Sequence, residues 1–227
     1  MKNILLIDKP VGWTSFDVVA KIRGAVRAKY QASGEKPTKR QLRVGHAGTL
    51  DPFATGLLII LLGEECKKAG EFLKLDKTYE FTAKLGEVST TGDTEGEIKA
   101  ISDSIPTEKQ VREALEQFKG TITQVPPAFS AIKVNGKRAY RLAREGKEVE
   151  IPEREITIHS LELREYNYPF LKCVCDVSSG TYIRTLVEDI GKVLATGAYC
   201  TDLRRTRIGH YDITHATTVN QATSSSE

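Results

Sequence analysis

The sequence predicts an α+β fold, a largely antiparallel mixed sheet flanked by helices and loops. Three observations carry that expectation. Strand-like segments outnumber helical ones. The two kinds do not alternate in the regular way a doubly wound parallel sheet requires. The chain has 227 residues, 40% of them hydrophobic, enough to bury a sizeable core.

The first strand is expected over 4–8, a short apolar run closed by the turn Lys9-Pro10-Val11-Gly12. Ser15 then caps a helix whose apolar residues Phe16, Val19, Ala20, Ile22 and Val26 recur at helical spacing. Residues 32–41, polar and basic around Gly34 and Pro37, read as a mobile surface loop. Residues 45–56 hold three glycines, a proline and two threonines, the makings of a structured loop. That loop leads into an uninterrupted apolar run over 57–62, a buried strand.

A second strand over 77–85 alternates through Tyr79, Phe81, Ala83 and Leu85. Pro106-Thr107 opens a helix with a capping box, Thr107 facing Gln110 three residues on. Asn135-Gly136 marks a tight hairpin after a short strand over 131–134, and a short helix over 138–144 stops at Gly146. Two long strands over 155–166 and 171–178, a helix over 181–194 and a strand over 199–207 complete the core. Residues 1–216 read as one domain, with 217–227 a frayed polar tail.

Lys and Arg number 33 against 30 for Asp and Glu, a net charge of +3. That excess does not identify a nucleic-acid partner by itself, because the placement of the charges matters more than their sum. No apolar stretch follows a basic start, and the longest apolar run is far too short to span a bilayer. A cytoplasmic protein without membrane contact is expected. Cys66, Cys173, Cys175 and Cys200 form no C-x-x-C pair and have no His at zinc-ligand spacing. Reduced thiols and no metal site are expected. No heptad or apolar surface stripe is legible, so the expected state is a monomer.

The candidate for chemistry is Asp51. Pro52 restricts the backbone of the residue before it, and glycines around it allow tight turns and close approach to a ligand. An acid on a stiff loop before a buried strand can serve as nucleophile or base. The competing reading is an aspartate that caps a turn. A phosphate-binding loop is excluded, because neither G-x-x-x-x-G-K-[ST] nor strand-G-x-G-x-x-G-helix is present.

Residues 45–58, GHAGTLDPFATGLL, resemble the signature segment of the TruB family of tRNA pseudouridine synthases. Further matches run along nearly the whole chain. Residues 6–15 (LIDKPVGWTS) resemble the family's N-terminal motif, and Asp76-Lys77-Thr78-Tyr79 with Lys84-Leu85-Gly86 its second strand. Val125-Pro126-Pro127 with Phe129-Ser130-Ala131 resembles the start of its RNA-gripping insertion, here about 124–152. Residues 179–186 (SGTYIRTL) and Leu203-Arg204-Arg205-Thr206 resemble an active-site motif and the last core strand.

The resemblance implies the pseudouridine-synthase fold and a substrate, uridine 55 in the T-loop of tRNA. By motif position Asp51 matches the catalytic aspartate and Tyr79 the aromatic that stacks on the flipped base. Arg184 matches the arginine paired with the aspartate, and Tyr182 its neighbour in the pocket. His46 matches the histidine that helps fill the gap left by the flipped nucleotides. The reaction neither oxidises nor hydrolyses, so no cofactor is expected. Basic residues expected to contact RNA are Lys133, Lys137, Arg138 and Arg141 around the hairpin, and Lys9 and Arg43 near the signature loop. Many bacterial members continue into a PUA-type RNA-binding module, whereas this chain ends soon after Ile208-Gly209-His210-Tyr211. The insertion is therefore expected to carry more of the tRNA grip. Two alternatives stay open: a tRNA-folding chaperone, and a synthase for another T-loop-like RNA uridine.

Overall fold

The structure, a computed structural model, describes residues 3–130, 132–134, 136–139, 142, 145 and 151–224. The chain divides into two compact units, Met1–Lys77 with Arg204–Glu227, and Thr78–Leu203.

The first unit is built around β3 (Thr55–Leu62), of which every residue but Thr55 is buried. Its alternate side chains enter two different clusters. Leu58, Ile60 and Leu62 pack with Ile7 of β1 (Ile4–Lys9) and with Val18, Val19 and Ile22 of α1 (Ser15–Ala32). Leu57, Ile59 and Leu61 pack with Ala47, with Phe72 of α2 (Ala69–Leu73) and with Ile208, which pairs with Tyr211 of β13 (Tyr211–Asp212). A strand covered on both faces has no polar side, which is why this segment reads as an unbroken apolar run. β1 and β2 (Val44–Ala47) flank it antiparallel. On β12 (Ala198–Ile208), Arg204 and Arg205 pair with it in parallel.

Local choices in this unit differ from the sequence reading in three places. Thr14, not Ser15, is the N-cap of α1, in a capping box with Asp17. Residues 44–47 are a strand rather than part of the loop, because each finds a partner on β3. The tail is not frayed over its described length. β14 (Thr217–Thr218) pairs in parallel with β1. The terminal helix (Val219–Ser224) buries Val219 in the cluster of Ile7, Val18 and Leu58. Composition missed this because one valine in a polar segment is enough to anchor it when a core face lies open.

The second unit contains the expected α+β mixture. β4 (Lys77–Leu85) shows strict alternation, with Tyr79, Phe81, Ala83 and Leu85 buried. It lies between β12 and β11 (Phe170–Val177), followed by β10 (Arg154–Asn167) and β7 (Gly120–Gln124). β10 pairs antiparallel with both neighbours. α3 (Glu108–Glu116) carries the expected Thr107–Gln110 capping box. A second hairpin, β5 (Glu87–Ser89) with β6 (Ile98–Ala100), was not legible in the pattern. β8 (Lys133–Val134) and β9 (Lys137–Arg138) pair antiparallel where a hairpin is expected, with Gly136 at φ +80°, while Asn135 lies outside the described residues. The expected helix over 138–144 falls largely outside the described residues. α4 (Ile183–Val193) buries seven of its eleven residues. No helix among the described residues is long and apolar enough to cross a membrane.

Lys77 gives a pH prediction. Its side chain is buried and donates to the carbonyls of Leu73 and Leu75. Burial, helped by the nearby Arg205 charge, pushes its pKa down from 10.5 to about 8. The folded state therefore binds this proton less tightly than the unfolded state. The penalty for charging Lys77 is fully present below about pH 8 and is relieved as pH rises towards 10.5. Against a Lys77→Met variant, wild-type stability in urea unfolding is expected to improve between pH 7 and 10, by up to roughly 3 kcal/mol. A difference that stays constant or shrinks over that range contradicts the assignment.

Candidate active site

In the first unit the Asp51 loop runs from β2 to β3, and its backbone is gripped at alternate residues. Arg205, 1% exposed, donates from Nη2 to the Gly48 carbonyl at 3.0 Å and from Nε to the Leu57 carbonyl at 2.8 Å. Ser15 Oγ accepts the Leu50 N–H at 2.9 Å and donates to the Leu50 carbonyl at 3.2 Å. The Gly12 N–H donates to the Pro52 carbonyl at 2.8 Å, which Lys9 Nζ also reaches at 3.4 Å. The Ala54 N–H closes a turn onto the Asp51 carbonyl at 3.2 Å. Asp51 itself is half-buried.

Two glycines let this happen. Gly48 sits at φ +94°, and Gly56 at φ +103° with its α-carbon pressed on β12. A Cβ at Gly56 would lie 2.3 Å from the Arg205 carbonyl oxygen, so no other residue fits. The loop is thus a rigid mount for a carboxylate, with donors from β1, α1 and β12 holding its backbone.

Lys9 is the clearest departure from the expected RNA contacts. It is fully buried, and its ammonium donates to the carbonyls of Pro10, Trp13 and Pro52. A side chain so enclosed holds the two turns together instead of reaching a phosphate. Arg43 is exposed just before β2, and His46 is half-buried on β2 opposite Ile60. Arg204 makes a two-pronged pair with Asp8, at 3.1 and 2.8 Å, which ties β12 to β1.

In the second unit Tyr79 is 8% exposed, in the buried row of β4. Arg184, 3% exposed in the first turn of α4, spreads its guanidinium over three acceptors. Nη1 reaches the Thr91 carbonyl at 2.7 Å and the Asp93 carboxylate at 3.5 Å, and Nη2 reaches the Phe129 carbonyl at 2.8 Å. Asp93, equally buried, also accepts from Thr91 Oγ1 and from the Glu95 N–H. A fork of donors suits such a set, where a lysine would offer a single point. Gly92 lets the turn close, since a Cβ there would meet Glu188 Oε1 at 2.3 Å. Burial raises the pKa of Glu188.

Tyr182 is the N-cap of α4 and half-buried. Gln124, 2% exposed, fixes its backbone from both sides, accepting its N–H at 2.8 Å and donating to its carbonyl at 3.0 Å. The Arg154 guanidinium lies 5.3 Å over the Tyr182 ring.

The sequence points to Asp51, Tyr79, Tyr182 and Arg184, and places Arg205 in the last-strand motif without a task; it gives no sign of Ser15's hold on Leu50, nor of the roles of Gln124 and Arg154. Asp93 leaves a local signal, the turn-rich stretch Thr90-Thr91-Gly92-Asp93. Lys133, Lys137 and Arg138 lie on the β8–β9 hairpin, and Arg141 lies outside the described residues. All four cysteines are free, three of them on strands as expected.

Residues 36–183 match the model of the TruB family pseudouridylate synthase N-terminal domain. Residues 184–226 match that of the tRNA pseudouridylate synthase B C-terminal domain. The tRNA pseudouridine synthase B of Parabacteroides distasonis is 48% identical over 211 residues, which are 91% of this chain and 86% of that protein. Its namesake from Haemophilus influenzae is 44% identical over 219 residues, 96% of this chain and 66% of that protein. Among solved structures, the fold resembles a chain of a Cbf5–Nop10–Gar1 complex, with TM-score 0.68 and 26% identity over 92% of this chain. It also resembles a chain of an H/ACA ribonucleoprotein bound to a substrate RNA containing 2′-deoxyuridine, with TM-score 0.69 and 23% identity over 97% of this chain. The chain spans about half the length of those two.

Proposed function

The chain belongs to the TruB family of pseudouridylate synthases, and on that premise we propose that it converts uridine 55 in the T-loop of tRNA to pseudouridine with Asp51 as the catalytic carboxylate. The observation that carries this reading is the mount of Asp51, whose flanking residues Gly48, Leu50 and Pro52 are each held through the backbone. A carboxylate so placed keeps its position when the substrate arrives.

The reaction breaks the N1–C1′ bond, turns the freed uracil and joins C5 to C1′, while the C5 proton is lost and N1 gains one. Nothing is added or removed overall. The carboxylate can attack the sugar or the base, or take a proton from the sugar carbon beside C1′. Each route requires an ionised, fixed acid. The family reading assigns Arg184 as the positive charge that would favour the ionised form. The base must leave its stack, at a cost of a few kcal/mol, and stacking on Tyr79 returns roughly 1–3 kcal/mol. The family reading gives Tyr182 and His46 tasks at the flipped base and at the gap it leaves. Arg43 and the β8–β9 hairpin hold phosphates, and T-loop shape directs the choice of site.

The test is a map of pseudouridines. Unmodified tRNA transcripts incubated with the protein are treated with a carbodiimide that marks pseudouridine. A single new mark at position 55 is the expected result, absent when that uridine is replaced by cytidine. Marks elsewhere in total RNA but none in the T-loop would reassign the target. Faster tRNA refolding without any mark would replace the enzyme with a chaperone.

A further inference from the structure

Ser15 is the first residue of α1 and 2% exposed. Helix capping does not use it, because Thr14 accepts the Asp17 N–H and Asp17 returns the bond to the Thr14 N–H. Its hydroxyl instead faces Leu50, thirty-five residues away in sequence and 4% exposed. One oxygen accepts the Leu50 N–H and donates to the Leu50 carbonyl. A neighbouring strand would satisfy a residue in just this reciprocal way, yet among the described residues no strand pairs with Leu50. Leu50 is the residue immediately before Asp51. Fixing its N–H and C=O together fixes the peptide plane from which the Asp51 backbone departs.

We infer that Ser15 is a positioning residue for catalysis, aiming the Asp51 carboxylate through the Leu50 backbone. The inference rests on the assignment of Asp51 as the catalytic acid. The other holds on the loop act elsewhere: Arg205 on Gly48 and Leu57, Lys9 and Gly12 on Pro52. Ser15 engages both the N–H and the carbonyl of the residue before the acid, whereas Lys9 reaches only the carbonyl of the residue after it. Removal of Ser15 leaves Gly48 and Pro52 tethered and releases the Leu50 peptide groups between them. A carboxylate misplaced by a fraction of an ångström to an ångström loses rate far more than the protein loses stability.

The experiment compares wild type, Ser15→Ala, Ser15→Thr and Asp51→Asn in single-turnover and steady-state assays on tRNA transcript, with urea unfolding of each. Ser15→Ala is expected to lower kcat roughly ten- to a hundredfold, with KM for tRNA close to wild type and only a modest fall in the unfolding midpoint from the stranded Leu50 groups. Ser15→Thr, which keeps the hydroxyl, is expected to recover most of that loss. A wild-type kcat in Ser15→Ala, beside an inactive Asp51→Asn, overturns the inference alone. A loss shared by KM and the unfolding midpoint overturns it as well, since that is the mark of general loosening. Activity retained by Asp51→Asn overturns the assignment of Asp51 and the inference with it.

Discussion

Replacing Asp51 with Asn is expected to lower turnover at least about a thousandfold while leaving tRNA affinity within about threefold of wild type. The substitution keeps size and shape and removes only the charge and basicity of the side chain. The backbone bonds that hold the loop involve Gly48, Leu50, Pro52 and the Asp51 carbonyl, none of which the change touches. The loop should therefore keep its form, and the loss should appear in the chemical step. Single-turnover assays with enzyme in excess over tRNA separate the two, and filter binding measures affinity at a stated salt concentration. More than about a tenth of the wild-type rate in Asp51→Asn would remove this residue from the chemistry.

The second large effect is on the folded state. Arg184→Met is expected to destabilise the protein by roughly 3–5 kcal/mol, because it leaves the buried Asp93 carboxylate uncompensated. The carbonyls of Thr91 and Phe129 lose a donor as well. Arg184→Lys keeps the charge but cannot reach three acceptors at once, so it should recover only part of the loss. Combining Arg184→Met with Asp93→Asn should cost less than the two single changes added together, since a neutral amide beside a methionine strands no charge. Urea midpoints across this cycle provide the measurement, and strict additivity would mean that the two side chains do not interact. Activity should fall in every member that lacks the arginine, including those recovered in stability, if Arg184 has the catalytic task that the proposed function assigns to it.

Several features were legible in the sequence because short-range chemistry determines them. The apolar run before Gly63 had to be buried on both faces, and the alternation from Tyr79 to Leu85 had to be a strand with one covered face. The Thr107–Gln110 box and the β8–β9 hairpin at Gly136 follow from side chains and backbone angles within a few residues. The catalytic candidate stood out through a motif whose glycines and proline are themselves local constraints.

Tertiary structure decided the rest, and Thr14 and Ser15 show why. Two adjacent hydroxyls are equally good helix caps by local chemistry, and only Leu50, brought in from far along the chain, separates their tasks. Lys9 looked like one more surface cation until the fold enclosed it and turned its three donors on backbone carbonyls. Arg184 was named from its motif, but Asp93, its buried counter-charge, lies ninety-one residues earlier. Val219 anchors a tail that composition marks as frayed. A sequence read alone supplies the donors, acceptors and charges. Which of them meet is set when folding strips away water, since a buried polar group must then find its partner wherever the chain has placed one.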